Sequence, residues 1–255
     1  MKKLLLVQLL SLFSVCYADN FNFIGYRDSC PVFFNNTKHE IVIKKNDTLR
    51  IIKKINTGIK AIFVKNELIV LESNENGNYF AHLIKGEREK KIPITGDLTF
   101  ITGNENMIFH SDFSTSEIYM LSFEGSKKMN LKGLVVGFDE NCLYYSKENN
   151  AEIISANVEI YKVEIGDFNL KSELVASNLA GEKTIILPKG RKIVDEKLHK
   201  GKFRLCIIET ISEKIVFLDL PKEIKHFGFY YSLEKNTLDF YNNETLEIYS
   251  ILLAD

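Results

Sequence analysis

His110, Ser111 and Asp112 stand in succession where an apolar run gives way to a polar turn. A histidine beside a carboxylate pairs a general base with its orienter, but the pair works only on a nucleophile held within hydrogen-bond reach. No such nucleophile is marked nearby, and an Asp entering a turn is the ordinary acceptor of an Asx hydrogen bond. The five histidines, His39, His82, His110, His199 and His226, are scattered without HExxH spacing, and there is no CxxC, so neither a metal nor a cofactor is expected. Gly133 and Gly137 are isolated in strand-like sequence and form no phosphate loop. If the chain closes into a ring, Asp97, Asp112 and Asp139 are the carboxylates that could meet at its channel.

The second chemistry is electrostatic. Residues 189–202 carry Lys189, Arg191, Lys192, Lys197, Lys200 and Lys202 against only Asp195 and Glu196. Read as a basic insertion on a slightly acidic body, this stretch would grip an acidic protein partner, because loops on a rigid scaffold are where binding usually sits. The plainer reading is a long solvated hairpin. Tyr144-Tyr145 and Phe227-Gly228-Phe229-Tyr230-Tyr231 could stack on a sugar, although adjacent aromatics in a strand covered on both faces are more simply core.

These residues follow an export signal. Lys2 and Lys3 precede an apolar run from Leu4 to Val15, and Cys16 and Ala18 are small enough for the positions before a cleavage site at Asp19. Residues 1–18 therefore read as a signal peptide and residues 19–255 as one domain, periplasmic or secreted. Acylation of Cys16 is the alternative, but Val15 sits where lipoprotein processing wants a smaller residue. No later run is long enough for a transmembrane helix. Without Lys2 and Lys3 the chain holds 31 basic against 34 acidic residues, a net charge of −3, so it carries no basic footprint for nucleic acid. Cys30, Cys142 and Cys206 remain, an odd number that allows at most one internal bridge, so an apolar core must hold the domain together. Cys142 and Cys206 read as equivalent strands of neighbouring blades, hence as unbridged buried thiols.

The elements that position these groups are strands. Runs of four to eight apolar or β-favouring residues, such as Leu68-Ile69-Val70-Leu71 and Leu205-Cys206-Ile207-Ile208, are cut by Asn, Gly, Asp and Lys clusters. Many are continuously apolar, which asks for cover on both faces. Glu-Ile-Tyr occurs at Glu117, Glu159 and Glu247, with looser versions starting at Glu40, Asn78 and Lys214. Successive starts lie 38, 39, 42, 55 and 33 residues apart, and each copy follows a partner strand across a polar turn. A hairpin recurring at about 40 residues, with room for two more strands, matches the four-stranded blade of a β-propeller. The expected fold is all-β, a propeller of six blades with about four antiparallel strands each, five or seven being the neighbouring counts. Residues 87–94 and 126–131 read as outer strands, where Pro93 is tolerable.

Asn106-Met107-Ile108-Phe109-His110-Ser111-Asp112 followed by Ser116-Glu117-Ile118-Tyr119-Met120-Leu121-Ser122-Phe123-Glu124-Gly125 resembles the repeats of TolB-like and YWTD-type propellers. The shared elements are an aromatic-rich strand, a Ser-Asp turn, an Ile-Tyr strand and an acidic-Gly turn. The resemblance implies a fold and transfers no catalytic residue. Three functions follow from such a scaffold. The first is binding of another protein through rim loops, as an inhibitor or immunity factor would. The others are hydrolysis of a sugar or lactone in the central channel and a structural part in the envelope.

Overall fold

The computed structural model describes residues 21–46, 48–139, 141–148, 158–166, 170–179, 185–187, 192–200, 202–220, 227–232, 236–242 and 246–253. The expected leader, Cys16 included, lies outside them. The described elements are all strands, arranged as successive up-and-down meanders.

The first meander runs β1 (Phe21–Arg27), β2 (Cys30–Asn35), β3 (Glu40–Lys45), β4 (Thr48–Lys54). The second is β5 (Ile59–Lys65), β6 (Leu68–Glu75), β7 (Asn78–Lys85), β8 (Arg88–Ile94), and the third is β9 (Phe100–Gly103), β10 (Ile108–Ser111), β11 (Glu117–Ser122), β12 (Gly125–Lys132). The fourth is β13 (Leu134–Asp139), β14 (Cys142–Glu148), β15 (Val158–Glu164), β16 (Glu173–Leu179). The fifth is β17 (Ile185–Ile186), β18 (Lys192–His199), β19 (Lys202–Glu209), β20 (Ile215–Phe217). The sixth has three strands among the described residues: β21 (Phe227–Ser232), β22 (Thr237–Asn242), β23 (Ile248–Leu252).

The first two meanders share one eight-stranded sheet, because β1 and β5 pair in parallel at Gly25↔Val64 and Tyr26↔Lys65. Glycine is required there: a Cβ on Gly25, whose φ is +140°, would stand 1.9 Å from the Val64 carbonyl oxygen.

Six apolar clusters join the meanders in cyclic order. Val32 and Phe34 meet Val64 and Leu71; Val70 and Leu83 meet Ile108 and Leu121; Phe109 and Ile118 meet Leu143 and Val163. Tyr144 and Ile160 meet Ile193 and Cys206, and Val194 and Leu205 meet Leu238 and Phe240. The last cluster sets Phe21, Phe33 and Val42 of the first meander against Leu246 of the sixth, so the ring closes on itself. This explains the continuously apolar strands: the first six residues of β6 are buried, whereas the first four of β4 and of β8 are exposed. Pro93 lies on β8, an outer strand.

The third strands begin at Glu40, Asn78, Glu117, Val158, Lys202 and Ile248, at spacings of 38, 39, 41, 44 and 46 residues. The irregular intervals of 55 and 33 expected from sequence came from taking Lys214 as the start of a third strand; that residue precedes β20, a fourth strand. The supposed insertion is a blade strand. Ile193, Val194 and Asp195 of β18 are fully buried and β18 pairs with β19 along its whole length. Lys192, Asp195, Glu196 and Lys197 disguised a strand whose apolar residues are few but central. The same shift puts Cys142 on a second strand and Cys206 on a third, not on equivalent ones. The three described cysteines are unbridged; Cys206 is buried, while Cys142 is half-buried rather than enclosed.

Candidate functional site

Among the described residues, the buried polar side chains all lie on a second strand or at its end: Asn35, Glu72, Ser73, His110, Ser111, Asp112, Ser146, Asp195, Thr237 and Asp239. Register explains the pattern. Phe34, Glu72, Ser111 and Ser146 stand opposite Ile41, Ala81, Ile118 and Ile160, each fully buried, so they occupy one structural position repeated around the ring. A polar group there must find a partner. Glu72 accepts a 2.6 Å hydrogen bond from the backbone N–H of Leu98, where the chain enters the third meander. The hydroxyl of Ser111 accepts one of 2.9 Å from the N–H of Val135, on the first strand of the fourth. These side chains tie one meander to the next.

Ser111 is therefore engaged, and Asp112 is too. The Asp112 carboxylate accepts from the N–H and hydroxyl of Ser114 at 2.9 and 2.7 Å and from the Thr115 hydroxyl at 3.0 Å. Burial opposes its charge, but these bonds outweigh it and hold its pKa below the ordinary carboxylate value. Asn35 caps the corresponding turn of the first meander through the N–H groups of Thr37 and Lys38, each at 3.0 Å. The histidine–serine–aspartate run is thus an Asx turn that ends a second strand.

His110 is the exception within it. It is fully buried at the position that Phe33, Leu71 and Tyr145 hold elsewhere, and its ring stacks on Tyr119 with centroids 5.2 Å apart. Neither ring nitrogen has a hydrogen-bond partner among the described residues. Burial drives its pKa down to about 4, against the pull of Asp112 and Asp97, so it is neutral at physiological pH. Asp97 is half-buried and accepts from the Thr99 N–H at 3.0 Å. Asp139 ends β13 opposite Cys142, at the far end of the fourth meander from Ser146, the counterpart of Ser111, so the three carboxylates do not converge.

Two of the three Glu-Ile-Tyr copies share a physical cause that spacing alone did not show. Ile118 and Ile160 are fully buried, while on the other face Tyr119 donates to Glu117 at 2.8 Å and Tyr161 to Glu159 at 2.6 Å. Tyr144 and Tyr145 are core; the side chains of residues 227–231 lie outside the described ones.

Of the basic residues, Lys192 begins β18 and is half-buried, whereas Lys200 is exposed in the turn after it, at φ 49°. At about 3.3 Å per residue the ends of this eight-residue strand lie roughly 23 Å apart, so Lys192 and Lys200 mark opposite faces of the ring. Lys197 belongs to β18 and Lys202 to β19 by backbone; Lys189 and Arg191 lie outside the described residues. Exposed apolar side chains, which charge patterning did not reveal, include Phe113 at 67% and Ile211 at 89%, both in hairpin turns. Phe113 stacks on Phe100 with centroids 5.9 Å apart. Among the described residues, no three of His, Cys, Asp and Glu are grouped to hold a metal ion.

No protein-family model and no curated protein matches the chain. Solved structures do. The propeller domain of the trilobed protease from Pyrococcus furiosus, described as having an open velcro topology, superposes with a TM-score of 0.55 at 13% identity, over 92% of this chain and 86% of that one. TolB from Acinetobacter baumannii gives 0.51 at 12% identity over 86% of this chain, which spans 58% of that protein. A gluconolactonase from Xanthomonas campestris gives 0.51 at 11% identity, over 88% and 83% of the two chains. The chain is a β-propeller, and its repeats resemble those of TolB-like propellers. Identities this low establish its fold alone.

Proposed function

We propose that this chain is an exported propeller scaffold which binds another protein through its rim loops, in the manner of an inhibitor or immunity factor. The observation that carries this reading is the division of labour among its side chains. The buried polar residues Glu72, Ser111, Asp112 and Asn35 are spent on backbone and turn contacts, whereas large apolar side chains such as Phe113 and Ile211 stand exposed in turns. Apolar groups displayed on a rigid frame are anchors for a partner. Six interlocking clusters support six blades, with residues 1–18 removed on export.

Lys189, Arg191, Lys192, Lys197, Lys200 and Lys202 are the candidate contacts to an acidic partner. Because Lys192 and Lys200 mark opposite faces, one partner engages one of the two. The test is an immobilised chain beginning at Asp19, exposed to exported proteins of its own source, beside the variants Lys192→Glu and Lys200→Glu. The expected result is one retained protein that elutes with rising salt and is lost from one variant only. Retention by neither parent nor variants, together with hydrolysis of lactone substrates by the purified chain, overturns the reading.

A further inference from the structure

Ser73 and His82 form a polar pair at the end of an apolar seam. Paired residues of antiparallel strands share a face, so Ile69, Leu71 and Ser73 of β6 lie on one side of the second meander with Phe80, His82 and Ile84 of β7 and Glu89 and Lys91 of β8. On that side Ile69, Leu71 and Ile84 pack on Val32, Phe34 and Ile41 of the first meander. Ser73 is the last buried residue of β6 and Asn74 after it is exposed, so the seam between the two meanders ends at Ser73. Its hydroxyl lies 2.7 Å from Nε2 of His82, a diagonal neighbour across the strand pair.

The turn that follows does not use this serine. By register Ser73 holds the place of Asn35 in the first meander and follows Glu72 as Asp112 follows Ser111. Asn35 and Asp112 cap the turns after them, whereas the turn of the second meander is capped by Asn74, which accepts from the Gly77 N–H at 2.9 Å. Ser73 is thereby left to the histidine. Burial, and then Lys91, hold the His82 pKa below its ordinary 6.5 against Glu89 and Glu75, so the imidazole is neutral at pH 7 and can take a proton. Lys91 stands opposite His82, and its ammonium lies 4.1 Å over the ring of Phe80, the residue opposite Ser73, where an ion pair with Glu75 keeps it. A neutral base within hydrogen-bond reach of a hydroxyl, with a held cation on the same face, is the arrangement that activates a serine and meets the negative charge its attack creates. His82 is half-buried and Lys91 exposed, so the pair is reached from their side, and Ser73, 4% exposed, admits only a slender group.

We propose that Ser73 is a nucleophile that accepts the acyl group of a small carboxylic ester, with His82 as its general base and Lys91 facing the developing oxyanion. The inference goes beyond the protein-binding reading and uses none of its residues. Ser73 Oγ bonds to the acyl carbon as its proton passes to His82 Nε2; the bond from that carbon to the ester oxygen breaks, and the alkoxide leaves with the same proton. Water repeats the sequence, giving a proton to Nε2 and its oxygen to the acyl carbon, so the carboxylic acid departs and Ser73 regains its proton.

The probes are diisopropyl fluorophosphate, which transfers its phosphoryl group to an activated serine with loss of fluoride, and p-nitrophenyl acetate. With the full chain, peptide mapping by mass spectrometry should find the phosphoryl group on Ser73, and the acetate ester should be hydrolysed; Ser73→Ala should lose both. His82→Gln keeps the hydroxyl and should slow labelling by about a hundredfold or more. Labelling of the parent should fall only as pH drops through a midpoint below 6.5, the charges facing His82 being Glu75, Glu89 and Lys91 of its own meander and Lys53 of the first, which pairs with Glu89 at 3.8 Å. Nitrogen NMR should find Nε2 of His82 unprotonated at pH 7, the tautomer that accepts from Ser73. Should Ser73→Ala fail to fold, Lys91→Gln at an exposed position tests the same site and should slow labelling by about tenfold or more. The proposal is overturned if the parent takes no label, if the label sits on another residue, if Ser73→Ala hydrolyses the ester as the parent does, or if Nε2 carries the proton. A chain that retains a protein partner and takes no label loses the serine–histidine site and keeps the protein-binding reading; a chain labelled on Ser73 that retains no partner does the reverse.

Discussion

The hydroxyl of Tyr26, on the innermost strand of the first meander, donates a 2.8 Å hydrogen bond to the carboxylate of Asp239 on the second strand of the last, 213 residues away. Thr237 holds the other carboxylate oxygen at 2.8 Å, and Asp239 is 4% exposed. Removing the donor by Tyr26→Phe strands a buried oxygen, so stability in urea should fall by about 1–3 kcal/mol. A cycle with Asp239→Asn isolates the pair, and a coupling of zero would show that apolar packing alone closes the ring.

His110 makes stability depend on pH. Its pKa is about 4 in the fold against 6.5 for the free side chain, so below 6.5 the unfolded chain binds a proton that the folded chain refuses. The contribution is whole above pH 6.5 and is lost as pH falls toward 4, up to about 3 kcal/mol in all. His82, lowered by burial and by Lys91, acts in the same direction. His110→Phe, the residue found at the equivalent Phe33, should flatten most of the slope in denaturation midpoints measured from pH 7 to pH 4.5. An unchanged slope would acquit His110.

Gly25 and Ser111 test the joints between meanders in different ways. Ser111→Ala leaves the buried Val135 N–H without its acceptor and should cost about 1–3 kcal/mol. Gly25→Ala forces a Cβ to 1.9 Å from the Val64 oxygen, so the β1/β5 contact must part and the loss should be larger than at Ser111. Equal midpoints for the two variants would contradict this order.

The thiols should differ in reach. In the chain beginning at Asp19, the half-buried Cys30 and Cys142 should take up a maleimide under native conditions, and the buried Cys206 only after unfolding. Mass spectrometry reads the count directly; a Cys142–Cys206 linkage under non-reducing conditions would contradict the strand placement.

The sequence by itself determined the strands and their recurrence, because a strand covered on both faces must be apolar throughout, and Ile118 and Ile160 mark the same buried position wherever they recur. The outer strands were equally legible, since β8 and β12 carry the charges that solvent tolerates. Only the tertiary structure decided the fifth meander. Lys192, Lys197 and Lys202 looked like an insertion, yet Ile193, Val194 and Asp195 between them are enclosed by neighbouring sheets that no local pattern reveals. The same holds for His110 and Asp112. Adjacent in sequence, they resembled a catalytic pair, but one ring is buried against Tyr119 and the other side chain caps its own turn.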